Sequence, residues 1–266
     1  RDAGGQTAPQ IGALFESWQK GPLSSYLIEV SAAALQTVDA ESGTPMVDLI
    51  LDKAGQKGTG RWTLIEALKL GQSASTIEAA VGARGWSSEK ALRVAAAPLL
   101  PDAVTGGTLP TEDEMKSALL AARILGHAQG FRVLSAASDE FGWQLDMARI
   151  AEIWRAGCII RSALLDDLAD AFHAGLPEGA LILAPAIRDM LGDHLAGLRK
   201  TVAAGVSLGV PMPALSASLA WYDSIRTARG SANLIQAQRD FFGAHGFERG
   251  DIAGAHHGTW NAIRRD

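Results

Sequence analysis

Two cationic side chains stand six residues apart near the end of the chain, in the segment NLIQAQRDFFGAH. They are Arg239 and His245, and aromatic residues and a glycine surround them in the sequence. Arginine offers a planar fork of donors that matches phosphate or carboxylate oxygens, and histidine can donate to a hydroxyl or a phosphate oxygen. The pair therefore indicates a site for an anionic ligand. The alternative is that the two cations stabilise the C-terminal end of a helix.

A second candidate for phosphate binding is the segment AGQKGTGRWT, residues 54–63. Its glycines have the G-x-x-x-x-G spacing of a P-loop, but Arg61 and Trp62 stand where that motif needs Lys and Ser or Thr. Lys57 nevertheless supplies a charge and Thr59 a hydroxyl beside a backbone that glycines make accessible. On these residues alone, a connection between two helices with a solvated lysine is favoured over a phosphate site.

Composition and charge limit the classes of function. The 266 residues are 47% hydrophobic and 20% charged, which is typical of a soluble globular protein. The net charge of −5 argues against nucleic-acid and membrane partners, so an anionic ligand requires a local cluster of cations. The single cysteine, Cys158, excludes an internal disulfide and is typical of a cytoplasmic protein. His256 and His257 lack further ligands at metal spacing, so no metal site is expected.

Apolar residues recur at helical spacing along most of the chain. The clearest stripe is Leu120, Ile124, Ala128, Phe131 and Leu134. Thr111 followed by three acidic residues predicts the start of that helix, because an N-cap and early acids match the exposed amides. Further helices are predicted at 11–18, 24–38, 46–53, 63–70, 75–84, 88–97, 184–204, 213–227 and 231–242. Alternating strand patterns are scarce, so we expect an all-α fold of many helices joined by short connections.

The helical pattern extends to about residue 249, and residues 250–266 lose it. We therefore expect one large helical domain over 1–249 followed by a C-terminal tail. Trp260 is a large apolar group within this tail. The sequence leaves two alternatives equally open: Trp260 packs back onto its own domain, or it anchors the tail on a second subunit.

Longer segments of the chain resemble blocks of the decarboxylating 6-phosphogluconate dehydrogenase family and follow the family's order. The blocks are GTPMVDLILDKAGQKGTGRWT, GARGWSSEKALRVAA, RIAEIWRAGCIIRS and SANLIQAQRDFFGAH, with SSYLIEVSAAAL and HAQGFRVL between them. The resemblance extends from about Ile11 to Trp260. It implies the family's large all-α domain, which is used for substrate binding and dimerisation, without the Rossmann domain that precedes it and without its first helices.

The resemblance also implies a function and a set of site residues. The family oxidises 6-phosphogluconate with NADP and decarboxylates the 3-keto acid to ribulose 5-phosphate, a step of the pentose phosphate pathway that uses no metal. Lys57 and Thr59 match residues that bind the substrate phosphate, and Arg84, in VGARG, matches an arginine that also meets it. Arg239 and His245 match residues that reach into the partner subunit's active site. A cytoplasmic homodimer with shared active sites is therefore implied.

Parts of the family's machinery have no counterpart in this sequence. There is no G-x-G-x-x-G fingerprint, so the NADP site is not expected here. The family's catalytic Lys and Glu also lack matching segments, so no catalytic residue is assigned. We expect a C-terminal fragment that is inactive by itself. The alternatives are a helical oligomerisation module that has lost catalysis and a module that only binds a phosphosugar.

Overall fold

The computed structural model describes residues 1, 3–55, 57–101 and 104–260, and the regular secondary structure of this part is almost entirely helical. The all-α prediction is therefore confirmed. The helices are α1 (Ala8–Trp18), α2 (Tyr26–Gln36), α3 (Met46–Leu49), α4 (Thr59–Lys69), α5 (Ser75–Ser88), α6 (Lys90–Ala96), α7 (Glu112–Phe141), α8 (Met147–Trp154), α9 (Leu164–Ala174), α10 (Pro185–Ser207), α11 (Pro213–Ile225) and α12 (Ala232–Gly243). Short 3₁₀ turns lie at Pro177–Gly179 and Leu181–Leu183, and strands β1 (Phe247–Glu248) and β2 (Ala255–His256) pair antiparallel.

The chain divides into two compact units, Arg1–Trp221 and Tyr222–Asp266. The first contains α1 to α10 and most of α11, and the second contains α12 and the β1–β2 ribbon. The expected domain over 1–249 and the tail after it stay a prediction, and residues 261–266 of that tail lie outside the described residues. None of the described helices combines the length and the apolar content needed to cross a membrane.

Helix α7 is the longest described helix, and its two ends are capped by its own sequence. Thr111 Oγ1 accepts from the Glu114 amide at 3.2 Å, and Glu114 Oε2 accepts from the Thr111 amide at 2.8 Å. This reciprocal capping box satisfies two amides that the first turn leaves unpaired, and it confirms the predicted helix start. Gly142 ends the helix in the left-handed conformation at φ 65°. Four of the five residues in the predicted stripe are buried, and the fifth, Leu134, is half-buried.

Helix α10 packs along α7 at a very short distance. A Cβ added to Gly197 would lie 2.6 Å from Ser117 Cβ and 2.8 Å from the Glu114 carbonyl oxygen. The side chains around this glycine add polar contacts: His194 Nδ1 lies 3.1 Å from Ser117 Oγ, and Thr201 Oγ1 donates to the Glu114 carbonyl at 3.3 Å. A small residue at 197 is therefore a condition for the α7–α10 packing.

The start of α5 is fixed on α7 by a buried amide. Gln129 of α7 has no solvent exposure, and its Oε1 accepts from the Thr76 amide at 2.9 Å while its Nε2 donates to Ser75 Oγ at 3.4 Å. Thr76 Oγ1 also lies 3.1 Å from Ser218 Oγ of α11. Because a buried amide is costly unless it is paired, these bonds place α5 on α7 in one register.

Helix α4 is held against α5 by small residues. A Cβ on Gly60 would lie 2.7 Å from Val81 Cγ2, so the backbone of α4 packs directly against this side chain of α5. A compact apolar cluster at the other end of α4 continues this contact; it consists of Ala67, Ala74 and Val133, packed by Leu64, Leu70 and Ile77. Through α4, α5 and α7 the fold therefore positions residues 59–63, the part of the glycine-rich segment that lies on α4.

Several predicted helix bounds differ from the structure by three or four residues, as at the start of α1 and the end of α5, and one helix was not predicted. The helix predicted at 46–53 ends at Leu49, because Ile50 takes extended backbone angles of φ −76° and ψ 128°. The helix predicted from residue 63 begins at Thr59, where Trp62 N donates to the Gly58 carbonyl at 2.8 Å. Helix α9 was not predicted, although its buried leucines at 164, 165 and 168 and its acids in the first turn follow the helical pattern.

Two alanine substitutions in α10 should have opposite effects on stability. Gly197→Ala should lower the free energy of unfolding by about 1–3 kcal/mol, because the new methyl group overlaps Ser117 and the Glu114 carbonyl. Gly192→Ala in the same helix meets nothing within 4 Å and should raise it by about 0.5–1 kcal/mol through helix propensity. Urea denaturation followed by circular dichroism measures both. Equal effects of the two changes would contradict the close packing.

Candidate functional site

The chain before α4 is held in an extended form by two cations of α6. Arg93 Nη1 donates to Asp52 Oδ2 at 3.0 Å and Arg93 Nη2 donates to the Asp52 carbonyl at 2.7 Å, while Lys90 pairs with the other carboxylate oxygen. Hydrogen bonds from Lys90, and next from Arg93, lower the pKa of Asp52 to about 2. The helix predicted at 46–53 stops early because Asp52 bonds through its carboxylate and its carbonyl to side chains of α6.

Ala54 and Gly55, further along this segment, are bound by α5. Ser87 Oγ accepts from the Ala54 amide at 2.9 Å and lies 2.8 Å from the Arg84 carbonyl, to which it can donate. A guanidinium nitrogen of Arg84 donates to the Gly55 carbonyl. Arg84 is exposed, and one bond to Gly55 leaves several of its five N–H donors for another acceptor. Helices α5 and α6 therefore hold the chain at Asp52, Ala54 and Gly55.

The N-terminus of α4 follows this loop and presents the other two predicted residues. Gly58 is the N-cap and has φ 140°, a conformation that L side chains rarely adopt. Thr59 is the first helical residue, and Lys57 comes two positions earlier; both are exposed. Among the described residues, Lys57 Nζ has no hydrogen-bond or ion-pair partner. The first amides of a helix have no partner within the helix, and its dipole favours an anion at this end.

Lys57, Thr59 and Arg84 thus belong to one structural feature, which we call the α4 loop: residues 52–55, 57 and 58 with the first turn of α4 and Arg84. It combines a mobile ammonium group, a hydroxyl, a guanidinium and free helix amides. These are the donors that bind phosphate in proteins. Thr59 and Trp62 also line one end of an apolar groove of about 1110 Å³ that runs along α7 past Phe131 and Trp154.

The second predicted pair lies on and after α12 in the second unit. Arg239 is exposed on α12, and its Nη1 donates to Gln236 Oε1 at 2.8 Å. His245 follows the helix and is also exposed; its ring meets the Phe242 ring edge-on, with centroids 6.0 Å apart. Among the described residues no hydrogen bond holds the His245 imidazole. Both groups therefore keep donors available for a ligand.

A groove of about 610 Å³ lies between α12 and the ribbon of the second unit. His245 and Gln236 line it, together with the backbone and side chains of the ribbon and Trp260. Arg239 is not one of the lining residues, but its bond to Gln236 ties it to the edge of the groove. The structure thus places His245 in the groove and ties Arg239 to a residue that lines the same groove.

Comparison with known proteins identifies the family. The family model described as the C-terminal domain of 6-phosphogluconate dehydrogenase matches residues 1–260. The chain belongs to the 6-phosphogluconate dehydrogenase family. It is 42% identical over 260 residues to the NADP⁺-dependent decarboxylating enzyme of Bacillus subtilis, covering 96% of this chain and 55% of the relative. It is 44% identical over 254 residues to the decarboxylating enzyme of Salmonella typhimurium, covering 94% and 54%.

A solved structure of the same family has the same fold. A Plasmodium falciparum 6-phosphogluconate dehydrogenase, studied without ligand, with its cofactor NADP⁺ and with its substrate 6-phosphogluconate, superposes with a TM-score of 0.91 at 36% identity. The match covers 96% of this chain and 56% of that one. The chain therefore spans about half the length of the family members that it matches.

One residue of the site was missed by the sequence analysis. Asp240 directly follows Arg239 and is buried, with 3% of its surface exposed, although it lies on a short and mostly exposed helix. The local sequence gave no clear signal, because Asp240 follows the polar residues Gln238 and Arg239. The partners that make its burial favourable come from residues 246–260, and the helical pattern gave no sign of them. Trp260 is one of those partners, so it folds back on its own unit here.

Replacing Asp52 by Asn should destabilise the α4 loop in a pH-dependent way. A carboxylate whose folded pKa is depressed stabilises the native state above its ordinary value near 3.8, and this contribution is lost as pH falls toward about 2. The wild type should therefore protect the Ala54 amide from hydrogen exchange better than Asp52→Asn does at neutral pH, and the difference should shrink below about pH 4. Asp189→Asn, an exposed acid paired with the adjacent Arg188, is the control. A difference that does not change with pH would contradict the charge cluster.

Proposed function

We propose that this chain provides the substrate-binding part of a decarboxylating 6-phosphogluconate dehydrogenase. The proposed reaction oxidises 6-phosphogluconate at C3 and releases CO₂ from the resulting 3-keto acid, which leaves ribulose 5-phosphate. The α4 loop carries the proposal, because its exposed Lys57 and Thr59 lie at a helix N-terminus with Arg84 beside them. A phosphate there meets two cations, a hydroxyl and unpaired amides at once.

The three side chains of the α4 loop have different parts in this proposal. Lys57 acts as a flexible point charge, whereas Thr59 offers its hydroxyl from the first residue of α4. Arg84 both holds the Gly55 carbonyl and offers its remaining donors to a phosphate oxygen. Because the bond to Gly55 orients the guanidinium before a ligand arrives, less side-chain entropy is lost on binding.

Arg239 and His245 are proposed to bind the sugar-acid side of the substrate. The substrate carries a carboxylate in addition to its phosphate, and an acidic chain with net charge −5 can hold such an anion only through converging cations. Support comes from the exposed guanidinium of Arg239 and from the imidazole of His245, which lines the groove of the second unit. We further propose that these two residues serve the active site of a partner subunit.

The proposed nicotinamide cofactor of the enzyme is NADP, by analogy with the B. subtilis relative of that specificity and with the P. falciparum enzyme. A B. subtilis NAD⁺-dependent relative is 40% identical, so both cofactors belong in any assay. The residues present do not fit a dinucleotide: the sequence has no G-x-G-x-x-G turn, and the only strands among the described residues are two of two residues each. No step of the reaction is therefore assigned to this chain's contact with the cofactor.

A cytoplasmic homodimer completes the proposal. Large apolar side chains are exposed on the first unit, among them Leu68 at 78% and Leu99 at 80%, and the apolar groove along α7 is open. Exposed apolar surface on this scale is typical of subunit interfaces. The single cysteine supports a reducing compartment. Sedimentation velocity of the purified chain tests the dimer, and a monomer at micromolar concentration would contradict it.

Isothermal titration with 6-phosphogluconate tests the proposed site. Lys57→Ala and Arg239→Ala should each weaken binding by about 1.5–3 kcal/mol, the usual scale of a charged hydrogen bond. Lys69→Ala and Arg249→Ala are matched controls, since each removes an exposed cation of the same helix or unit that pairs with an acid nearby. The controls should bind as the wild type does. Equal losses in the test and control variants would show a general charge effect and no site.

The 266 residues alone should not reduce NADP⁺ or NAD⁺ in the presence of 6-phosphogluconate, because no dinucleotide fingerprint lies among them. Absorbance at the wavelength of the reduced nicotinamide measures this directly. Turnover by the purified chain would refute the expectation. Binding without turnover fits both the proposal and a module that only binds a phosphosugar, whereas absence of binding in a dimeric sample would favour an oligomerisation module.

A further inference from the structure

Asp240 is a buried carboxylate surrounded by four donors, and its role is not explained by ligand binding. Its Oδ1 accepts from the Gly246 amide at 2.9 Å and lies 2.6 Å from His257 Nδ1. Its Oδ2 accepts from the Gly258 amide at 2.8 Å and from Trp260 Nε1 at 2.7 Å. Two backbone amides and two side-chain N–H groups from the segment after α12 therefore bond to this one carboxylate.

These donors keep the group ionised. The hydrogen bond from the Gly258 amide, and next those from His257, Trp260 and Gly246, hold the pKa of Asp240 well below its usual range. The carboxylate is 1% exposed and its oxygens are already satisfied. A ligand or a proton transfer therefore has no access to it, and Asp240 acts on other residues of the unit.

Asp240 holds His245 indirectly, through both of its neighbours in the chain. The Asp240 carbonyl accepts from the Ala244 amide at 2.9 Å, and its carboxylate accepts from the Gly246 amide, so both neighbours of His245 bond to the same residue. Ala244 has the left-handed φ of 50° that turns the chain at this point. The His245 ring then lies over Gly243, where a Cβ would come within 2.6 Å of its Nε2.

The same carboxylate also fixes the opposite wall of the groove. Trp260 lines the groove with the ribbon residues, and its ring packs on Phe241 of α12 with centroids 6.3 Å apart. Its indole N–H and the Gly258 amide share Oδ2 of Asp240. Asp240 of α12 thus holds both the segment that carries His245 and the Trp260 side of the groove.

We propose that Asp240 is a positioning residue that orients His245, and the groove beside it, for the anionic substrate. The inference rests on the proposed function, since it assumes that His245 meets that substrate. It adds a residue that never touches the ligand but decides where the imidazole stands. Asn fits the same space, yet its amide group presents N–H donors where one carboxylate oxygen now accepts two bonds, so Asp240→Asn breaks the arrangement without changing its volume.

The first measurement needs no ligand. In the wild-type chain, nuclear Overhauser contacts should link the His245 ring to the Phe242 ring and the Gly243 α-protons, and the Trp260 indole N–H and Gly258 amide should exchange slowly. Asp240→Asn should remove those contacts and speed exchange at both sites about tenfold or more. Asp251→Asn, an exposed acid of the same unit paired with Arg249, should change neither. Persistence of the His245 contacts in Asp240→Asn would overturn the inference.

The second measurement is affinity for 6-phosphogluconate by titration. Asp240→Asn should weaken binding about tenfold or more, and Trp260→Phe, which keeps a ring and removes a single bond to the carboxylate, should have a smaller effect in the same direction. If Asp240→Asn leaves the second unit unfolded, the graded loss in Trp260→Phe decides the matter. Normal affinity despite a displaced His245 ring would overturn the inference. Failure of the wild type to bind would overturn the proposed function, while the contacts in the free chain still test the positioning.

Discussion

The pairing of one buried amide, Gln129, with the first turn of α5 is the constraint on which the α4 loop depends. Gln129 accepts from the Thr76 amide and donates to Ser75 Oγ, which fixes where α5 begins on α7. Arg84 stands near the other end of α5, so its reach to the Gly55 carbonyl is set by that anchorage. Gly60 then allows the backbone of α4 to pack directly against the Val81 side chain of α5. A polar contact deep in the first unit thus determines where an exposed guanidinium stands.

In each unit a bonded acidic residue fixes the backbone near a candidate cation. In the first, cations of α6 hold an acidic residue, Asp52, at the base of the loop proposed to bind the substrate phosphate. In the second, one buried anion, Asp240, gathers N–H donors from the chain around it. The charge of each acid is balanced by fixed partners, so it is compatible with the anion site proposed nearby.

The sequence predicted what depends on local rules and missed what depends on distant partners. The capping box at Thr111 and the apolar stripe of α7 were predicted correctly because every participant lies within a few turns. The early end of α3 was missed, since it depends on cations about forty residues further along the chain, as the bonds from Arg93 to Asp52 show. The cations of the candidate site were predicted from a family resemblance. The groups that hold them in place, such as the Gly55 carbonyl and the Asp240 carboxylate, are visible only in the folded structure. Burial of Asp240 is the clearest case, because exposure is the ordinary expectation for an acid.

The bonds to Asp240 have a consequence for how the chain folds. They join residues only 6 to 20 positions apart, whereas the contact between Thr76 and Ser218 spans 142. Closing a short loop costs less chain entropy and is faster than closing a long one. The Asp240 contacts can therefore form within one short stretch of sequence, whereas the contact between Thr76 and Ser218 requires distant parts of the chain to meet. The second unit should therefore order faster than the helix packing around Thr76.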